Sequence, residues 1–90
     1  MNFLWDEKKA SGNLRKHGIT FDEAATVFLD PLAITGLDPD HSEDEYRFIT
    51  FGMTSLGQLL VVCHTSRRGA IRIISARKAT SGERKLYEEA

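Results

Sequence analysis

The sequence predicts an α+β fold, a small antiparallel sheet flanked by helices in the order β-α-α-β-β-β-β-α. Three observations support this prediction. The capping motifs Thr20-x-x-Glu23 and Thr80-x-x-Glu83 each open a helix. Residues 58–66 are almost continuously apolar, which indicates a central strand covered on both faces. Tight turns join the later strands, so neighbouring strands should pair antiparallel.

The first part of the chain is predicted to form one strand and two helices. Residues 2–5 are apolar and short, which is typical of a strand. Asp6 can cap a helix that runs to His17. The second helix begins after Thr20 and stops at Asp30-Pro31, because proline disfavours helix at the residue before it. Its buried face is predicted to consist of Phe21, Ala24, Ala25 and Phe28.

The second part is predicted to contain four strands and a terminal helix. The strands cover residues 32–36, 46–53, 58–66 and 70–76. An acidic loop at residues 37–45 separates the first two of them. Arg67-Arg68-Gly69 forms a tight turn before the last strand, since glycine accepts the required backbone angles. The helix that opens at Thr80 runs through Glu89.

Size and composition indicate one globular domain over residues 1–90. The chain is 41% hydrophobic and 28% charged. No apolar run approaches the roughly 20 residues that span a bilayer, and the N-terminus is not a signal peptide. Cys63 is the only cysteine, which fits a reducing cytoplasm. No Cys/His set has zinc spacing, so neither a metal nor another cofactor is expected.

Charge is segregated along the chain, although the net charge is only −1. Residues 20–45 contain eight acidic side chains and no Lys or Arg. Residues 67–85 contain seven basic side chains and one acidic side chain, Glu83. Such blocks indicate binding partners more than fold. Arg72 and Arg77, on and just after an apolar strand, either form an anion site or are ordinary surface arginines.

Several segments together resemble the BrnT family of type II toxin–antitoxin systems. The resemblance runs nearly end to end, through WDEKK, NLRKHGITFDEAATVF, DPDHSEDEYRFITFG, LLVVCHTSRRGAIRIISARKAT and ERKLYEE. Its most specific elements are Lys16-His17-Gly18, Arg47-Phe48, and Ile74-Ser75-Ala76-Arg77 with Tyr87. The resemblance implies a fold like that of RelE and ParE toxins and a ribonuclease that stops translation.

The same resemblance implies a protein partner. This would be a cognate, BrnA-like antitoxin with a ribbon-helix-helix DNA-binding domain. Operator DNA would then be bound only through the toxin–antitoxin complex. RelE-like nucleases are generally basic, whereas this chain has a net charge of −1, so only the local basic segment supports RNA binding.

Metal-free RNA cleavage sets the chemical requirements for a site. The 2′-OH attacks the adjacent phosphate, which needs a base, cations for the phosphorane oxygens and an acid for the leaving 5′-oxygen. Arginine suits the second task because its planar fork grips phosphate with two bonds. Arg77 is the first candidate and Arg72 the second. In a regular strand they would point to opposite faces, and only a bulge or a strand end would let them converge.

Titratable residues supply the other candidates. His64 shares a face with Leu60 and Val62, so it is either a satisfied core residue or, on an open face, a proton carrier. Tyr87 either packs with its hydroxyl in solvent or lies near the scissile phosphate, as the resemblance implies. Lys16 and His17 share a helix face with Asn13 and either serve the site or complement the helix dipole.

Five further basic residues are predicted to contact RNA. Arg47 opens a strand and is also positioned to pair with Glu45 or Asp44. Arg67 and Arg68 at the turn tip suit an RNA or antitoxin contact. His41 in the acidic loop is expected to be exposed. The full predicted RNA-binding set is Arg47, Arg67, Arg68, Lys78 and Arg84.

An alternative function is a binding module without catalysis. The basic strand would then contact nucleic acid or a partner protein, and the acidic segment would contact a basic one. Phosphate binding by Lys and Arg needs no chemistry, and no acid–base pair in the sequence is unambiguous. Assaying RNA cleavage with and without EDTA separates the two functions.

Overall fold

A computed structural model describes residues 1–38 and 46–90 of the chain. The predicted order of strands and helices is confirmed. Within those ranges, no helix is both long and apolar enough to cross a membrane. The elements are β1 (Phe3–Leu4), α1 (Glu7–His17), α2 (Phe21–Ala25), a 3-10 helix (Thr26–Leu29), β2 (Ile34–Leu37), β3 (Phe48–Met53), β4 (Leu59–Arg67), β5 (Ala70–Lys78) and α3 (Ser81–Glu89).

The second helix is shorter than the sequence predicts, because its last turn tightens into the 3-10 helix. The Thr20 hydroxyl accepts a hydrogen bond from the Glu23 N–H at 3.1 Å, as a capping box requires. The Glu23 carboxylate, however, accepts hydrogen bonds from Thr54 and Gln58, at 3.0 and 2.8 Å. The Glu23 carboxylate therefore connects α2 to the turn between β3 and β4 instead of completing the predicted capping box.

The sheet has five strands in the order β1-β5-β4-β3-β2. The predicted antiparallel arrangement holds for β2, β3, β4 and β5. The first strand departs from it, since β1 pairs in parallel with β5 through Phe3↔Ile71 and Leu4↔Arg72. This pairing joins segments that lie far apart in the sequence, and local sequence patterns carry no signal for it. The sheet is therefore mixed, with β4 at its centre.

Helices α1 and α2 cover one face of the sheet. The core on this face contains Leu60, Val62, Ile73 and Ala76 from the central strands. Ile19, Phe21, Ala24 and Val27 pack against them. Cross-strand neighbours share a face, so the register puts Ile49, Val61, Cys63 and Ser75 on the opposite side. We call this opposite side the open face.

Asn13 completes the edge of β5 beyond the end of β1. Its side-chain amide donates to the Ala76 carbonyl at 2.8 Å and accepts from the Ala76 N–H at 3.0 Å. It also donates to the Ile19 carbonyl at 3.1 Å. A buried amide that satisfies three backbone groups fixes helix α1 alongside the last strand.

The turn between β4 and β5 has positive φ at both central residues, 51° at Arg68 and 80° at Gly69. Two successive positive φ values define a type I′ hairpin, whose twist matches that of the flanking strands. The predicted tight turn is therefore confirmed.

Gly52 in β3 is required by close packing. A Cβ at this position would lie 3.0 Å from the Val27 Cβ and 3.2 Å from the Val27 carbonyl oxygen. We expect Gly52→Ala to lower the free energy of unfolding by about 1–3 kcal/mol, because the 3-10 helix must shift. Denaturant unfolding measures the change. Gly36→Ala in β2 is the matched control, since its Cβ would meet nothing within 4 Å. An equal loss in both variants would contradict this explanation.

Candidate active site on the open face

The open face carries a cleft of about 360 Å³ over its central strands. Its floor comes from β3, β4 and β5, and charged side chains stand at its rim. A cleft of this size matches the lower range of small-ligand sites. The residues that line it are Asp38, Arg47, Ile49, Val61, Cys63, Ile74, Ser75 and Arg77.

A β-bulge decides which side chains reach this cleft. Between β4 and β5 the register shifts, so that Cys63 pairs with Ser75 but His64 pairs with Ile73. Ile74 is the additional residue, and a bulge of this kind reverses the alternation that follows it. Arg72 pairs with Thr65 and Arg77 pairs with Val61, and both therefore lie on the face of Cys63. The opposite orientation expected for a regular strand does not occur.

The bulge thus gives a symmetrical layout along β4. Arg72 lies two ladder positions to one side of Cys63, and Arg77 lies two positions to the other side. Each offset corresponds to about 7 Å along the strand. Arg47 lines the same cleft from the position just before β3. Three arginines predicted from the sequence are therefore brought to one surface.

Cys63 lies at the centre of this surface. Burial raises the pKa of its thiol, and the Asp38 carboxylate raises it further, whereas the Arg47 and Lys9 charges lower it. A thiol with a raised pKa is a poor nucleophile at neutral pH, since the thiolate is the reactive form. Across residues 1–38 and 46–90, no group of three or more His, Cys, Asp and Glu side chains is placed to hold a metal ion.

Arg77 is engaged by a carboxylate of helix α3. Its two terminal nitrogens donate to the two Glu83 oxygens at 2.7 and 2.8 Å. This bidentate pair lowers the pKa of Glu83 to about 2 and raises the pKa of Arg77. Glu83 also completes the capping box with Thr80, which the sequence predicts. The Arg77 guanidinium is therefore held at the rim of the cleft by the first turn of α3.

Tyr87 makes the second polar contact of α3. Its hydroxyl donates to the Asp30 carboxylate at 2.6 Å. This hydrogen bond raises the pKa of Tyr87, so the phenol remains protonated at neutral pH. Asp30 also accepts hydrogen bonds from the Met53 and Leu32 N–H groups, each shorter than 3 Å. Tyr87 is therefore tied to the end of the 3-10 helix and does not line the cleft.

His64 lies on the face that the helices cover. The residue is 7% exposed. Its ring stacks on Phe48 and makes an edge contact with Phe28. Its Nε2 is 2.7 Å from the Thr50 hydroxyl. Burial lowers the pKa of this imidazole to about 4. His64 therefore does not occupy the open-face position that a proton carrier would need, because it lies on the same face of β4 as the core residues Leu60 and Val62.

Lys16 and His17 lie in the last turn of α1, one turn beyond Asn13. Lys16 is exposed and His17 is half-buried. Since Asn13 is fixed at Ala76, this turn lies beside β5 at the edge of the sheet. Neither residue lines the cleft. The third member of the predicted polar face, Asn13, is buried and structural.

The other basic residues are dispersed. Arg67 and Arg68 lie at the hairpin turn, at the end of the sheet away from Arg77. Lys78 ends β5 and Arg84 lies on α3, and both are exposed. Of the predicted RNA-binding set, only Arg47 lines the cleft. The predictions for His41, and for the pairing of Arg47 with Glu45 or Asp44, concern acidic-loop residues that lie outside the described part of the chain.

Sequence reasoning missed three polar residues at the cleft. Asp38, Cys63 and Ser75 line it. Val61, Cys63 and Thr65 alternate along β4 and therefore share one face of the strand. No local sequence pattern shows which face of the sheet the helices leave open. Thr65 is almost fully buried, and its hydroxyl has no hydrogen-bond partner among the described residues.

The sequence was compared with known proteins. Residues 5–83 match the family described as the ribonuclease toxin BrnT of type II toxin–antitoxin systems. The fold is similar to the crystal structure of the Brucella abortus ribonuclease toxin BrnT, with a TM-score of 0.68 and 25% sequence identity. That alignment covers 90% of this chain and 99% of the Brucella chain. A comparison with curated proteins gave no significant match. The chain therefore belongs to the BrnT family of ribonuclease toxins.

Proposed function

We propose that the open face binds the RNA backbone and cleaves it without a metal ion. The observation that carries this proposal is the presence of Arg47, Arg72 and Arg77 on one face, around the Cys63–Ser75 pair. Fixed guanidinium groups next to a partly buried floor act in a medium of lower dielectric, where they stabilise a developing anion more strongly than in water. The functional unit is a single domain over residues 1–90.

Each arginine has a distinct part in this proposal. Arg77 and Arg47 border the cleft, so they contact the oxygens of the scissile phosphate. Arg72 lies beyond the bulge and contacts a neighbouring phosphate of the same strand. Because guanidinium stays protonated, these contacts stabilise the phosphorane at any pH at which RNA is stable.

Proton transfer is assigned to titratable residues that lie outside the lining of the cleft, Tyr87, Lys16 and His17. The Tyr87 phenol is protonated at neutral pH, which suits a general acid for the leaving 5′-oxygen once its hydrogen bond to Asp30 opens. Lys16 and His17 lie in the last turn of α1, so for either to act as the base at the 2′-OH the RNA must extend from the cleft past the edge of the sheet to that turn. His64 has a structural part, because its imidazole is enclosed by aromatic rings.

The biological setting follows from the family. We propose that RNA cleavage occurs in the cytoplasm and stops translation. A cognate BrnA-like antitoxin with a ribbon-helix-helix domain covers the open face, and the complex binds its operator DNA through that domain. The family description, a toxin of a type II toxin–antitoxin system, supports the existence of an antitoxin.

Metal independence gives the direct test. We expect purified protein to cleave single-stranded RNA at the same rate, within about twofold, with or without EDTA, because fixed arginines supply the charge. Initial rates on a fluorescently labelled RNA measure this. Products with 2′,3′-cyclic phosphate ends are expected, since the 2′-OH is the nucleophile.

Two outcomes would contradict the proposal. Loss of cleavage in EDTA, with recovery on adding Mg²⁺, would assign the chemistry to a metal. Binding of RNA with no cleavage in any buffer would leave the open face as a docking surface only.

A further inference from the structure

Helix α3 is held to the sheet mainly by polar contacts. None of its residues is buried. Two of its side chains, Glu83 and Tyr87, are four residues apart and therefore project from the same side of the helix. Glu83 binds Arg77, and Tyr87 binds Asp30. With little apolar area buried beneath it, such a helix can shift at modest free-energy cost.

The Glu83 carboxylate occupies the Arg77 N–H donors that a phosphate would need. Carboxylate and phosphate bind the guanidinium fork in the same way, through two parallel N–H···O hydrogen bonds. In this structure both terminal nitrogens of Arg77 are used by the two Glu83 oxygens. A phosphate in the cleft and Glu83 therefore cannot hold the same fork together.

We propose that Glu83 is a built-in competitor of the RNA phosphate: substrate binding displaces its carboxylate from Arg77, and α3 shifts as the fork is released. This inference rests on the proposed function, since it requires Arg77 to bind RNA. Helix α3 thereby limits the affinity of the free toxin for RNA.

The competitor acts at every pH at which the toxin works. The pKa of Glu83 is held at about 2 by Arg77, so protonation does not open the pair above that pH. The pair is also partly exposed, with side-chain exposures of 41% for Arg77 and 21% for Glu83. Water and an incoming anion can therefore reach it. A partly solvated ion pair has a modest net strength, which allows a phosphate to replace it.

Glu83→Gln separates competition from helix capping. Glutamine preserves the capping box, because Ser/Thr-x-x-Gln caps as Ser/Thr-x-x-Glu does, but it lacks the negative charge. Thr80→Ala is the matched control. It removes the hydroxyl that accepts from the Glu83 N–H at 3.2 Å and leaves the Arg77–Glu83 pair intact. Glu83→Gln therefore frees Arg77 while the helix cap is kept, whereas Thr80→Ala weakens the cap while the Arg77–Glu83 pair is kept.

The probe is a pool of mixed-sequence 2′-O-methyl dodecanucleotides, which binds without being cleaved because it lacks the attacking hydroxyl. We expect Glu83→Gln to bind this probe about three- to tenfold more tightly than wild type, the range for opening a partly exposed ion pair. Thr80→Ala should bind as wild type does. Arg77→Ala should bind more weakly, and adding Glu83→Gln to it should give no gain, since the two residues act through one contact.

The outcomes separate failure of the competitor inference from failure of the open-face proposal on which it rests. If Arg77→Ala weakens binding but Glu83→Gln binds no better than wild type, Glu83 only positions Arg77 and the competitor inference is wrong. If Arg77→Ala binds and cleaves as wild type does, the open-face proposal fails, and the inference fails with it. Circular dichroism on each variant verifies that the fold is retained.

Discussion

Replacing Arg77 by alanine is expected to lower the rate of RNA cleavage by about 10²- to 10³-fold, the usual cost of removing one preorganised charge from a transition state. The substitution removes the guanidinium that borders the cleft opposite Arg47. Induction of the variant should no longer arrest growth. Initial rates on labelled RNA and growth after induction are the two measurements.

Two companion variants test whether cleavage requires both the guanidinium geometry of Arg77 and its position at the cleft. Arg77→Lys retains the charge but cannot form two parallel hydrogen bonds, so an intermediate rate is expected. Arg15→Ala removes an equally charged, exposed side chain from the last turn of α1 and should leave cleavage unchanged. The fold should survive in Arg77→Ala, because Thr80 still caps α3. Wild-type toxicity of a folded Arg77→Ala variant would remove Arg77 from the mechanism.

Stability is expected to fall as the pH is lowered from 6.5 to 4, because of His64. Burial keeps this imidazole neutral in the folded chain, with a pKa of about 4 against a reference value of 6.5. In this window the unfolded chain binds a proton that the folded chain does not, so protons favour unfolding. The shift corresponds to about 3 kcal/mol of lost unfolding free energy, since one pKa unit is about 1.4 kcal/mol. Urea unfolding at each pH measures it.

The pH window separates His64 from the acidic residues. The pKa of Glu83 is lowered from 4.5 to about 2, so the stability that it contributes is present above 4.5 and is lost only below that value. The slope between pH 6.5 and 4.5 therefore reports His64.

Two variants test the cause of that slope. His64→Phe should flatten it, because an aromatic ring that does not titrate takes the place between Phe28 and Phe48. Thr50→Val removes the hydroxyl partner but keeps the buried imidazole, so the slope should remain. A wild-type slope in His64→Phe would show that another group causes the pH dependence.

Much of the fold was predictable because its signals are local. The Thr80 capping box, the antiparallel strands β2–β5 and the glycine turn at residues 67–69 each depend on neighbouring residues, and each forms as the sequence predicts. Arg77 was identified as a cation on an apolar strand and Arg47 as a basic residue that opens a strand, and the structure brings both to one cleft. Their roles in cleavage remain predictions.

The sequence by itself determined the order of the elements, the central strand and the basic residues available for a site. Only the tertiary structure decided which face of the sheet stayed open, because alternation along a strand defines two faces without saying which one the helices cover. The bulge at Ile74 depends on pairing with β4, and it alone brings Arg72 and Arg77 to the same face of the sheet. The Arg77–Glu83 and Tyr87–Asp30 contacts likewise depend on where α3 docks, which no local pattern specifies.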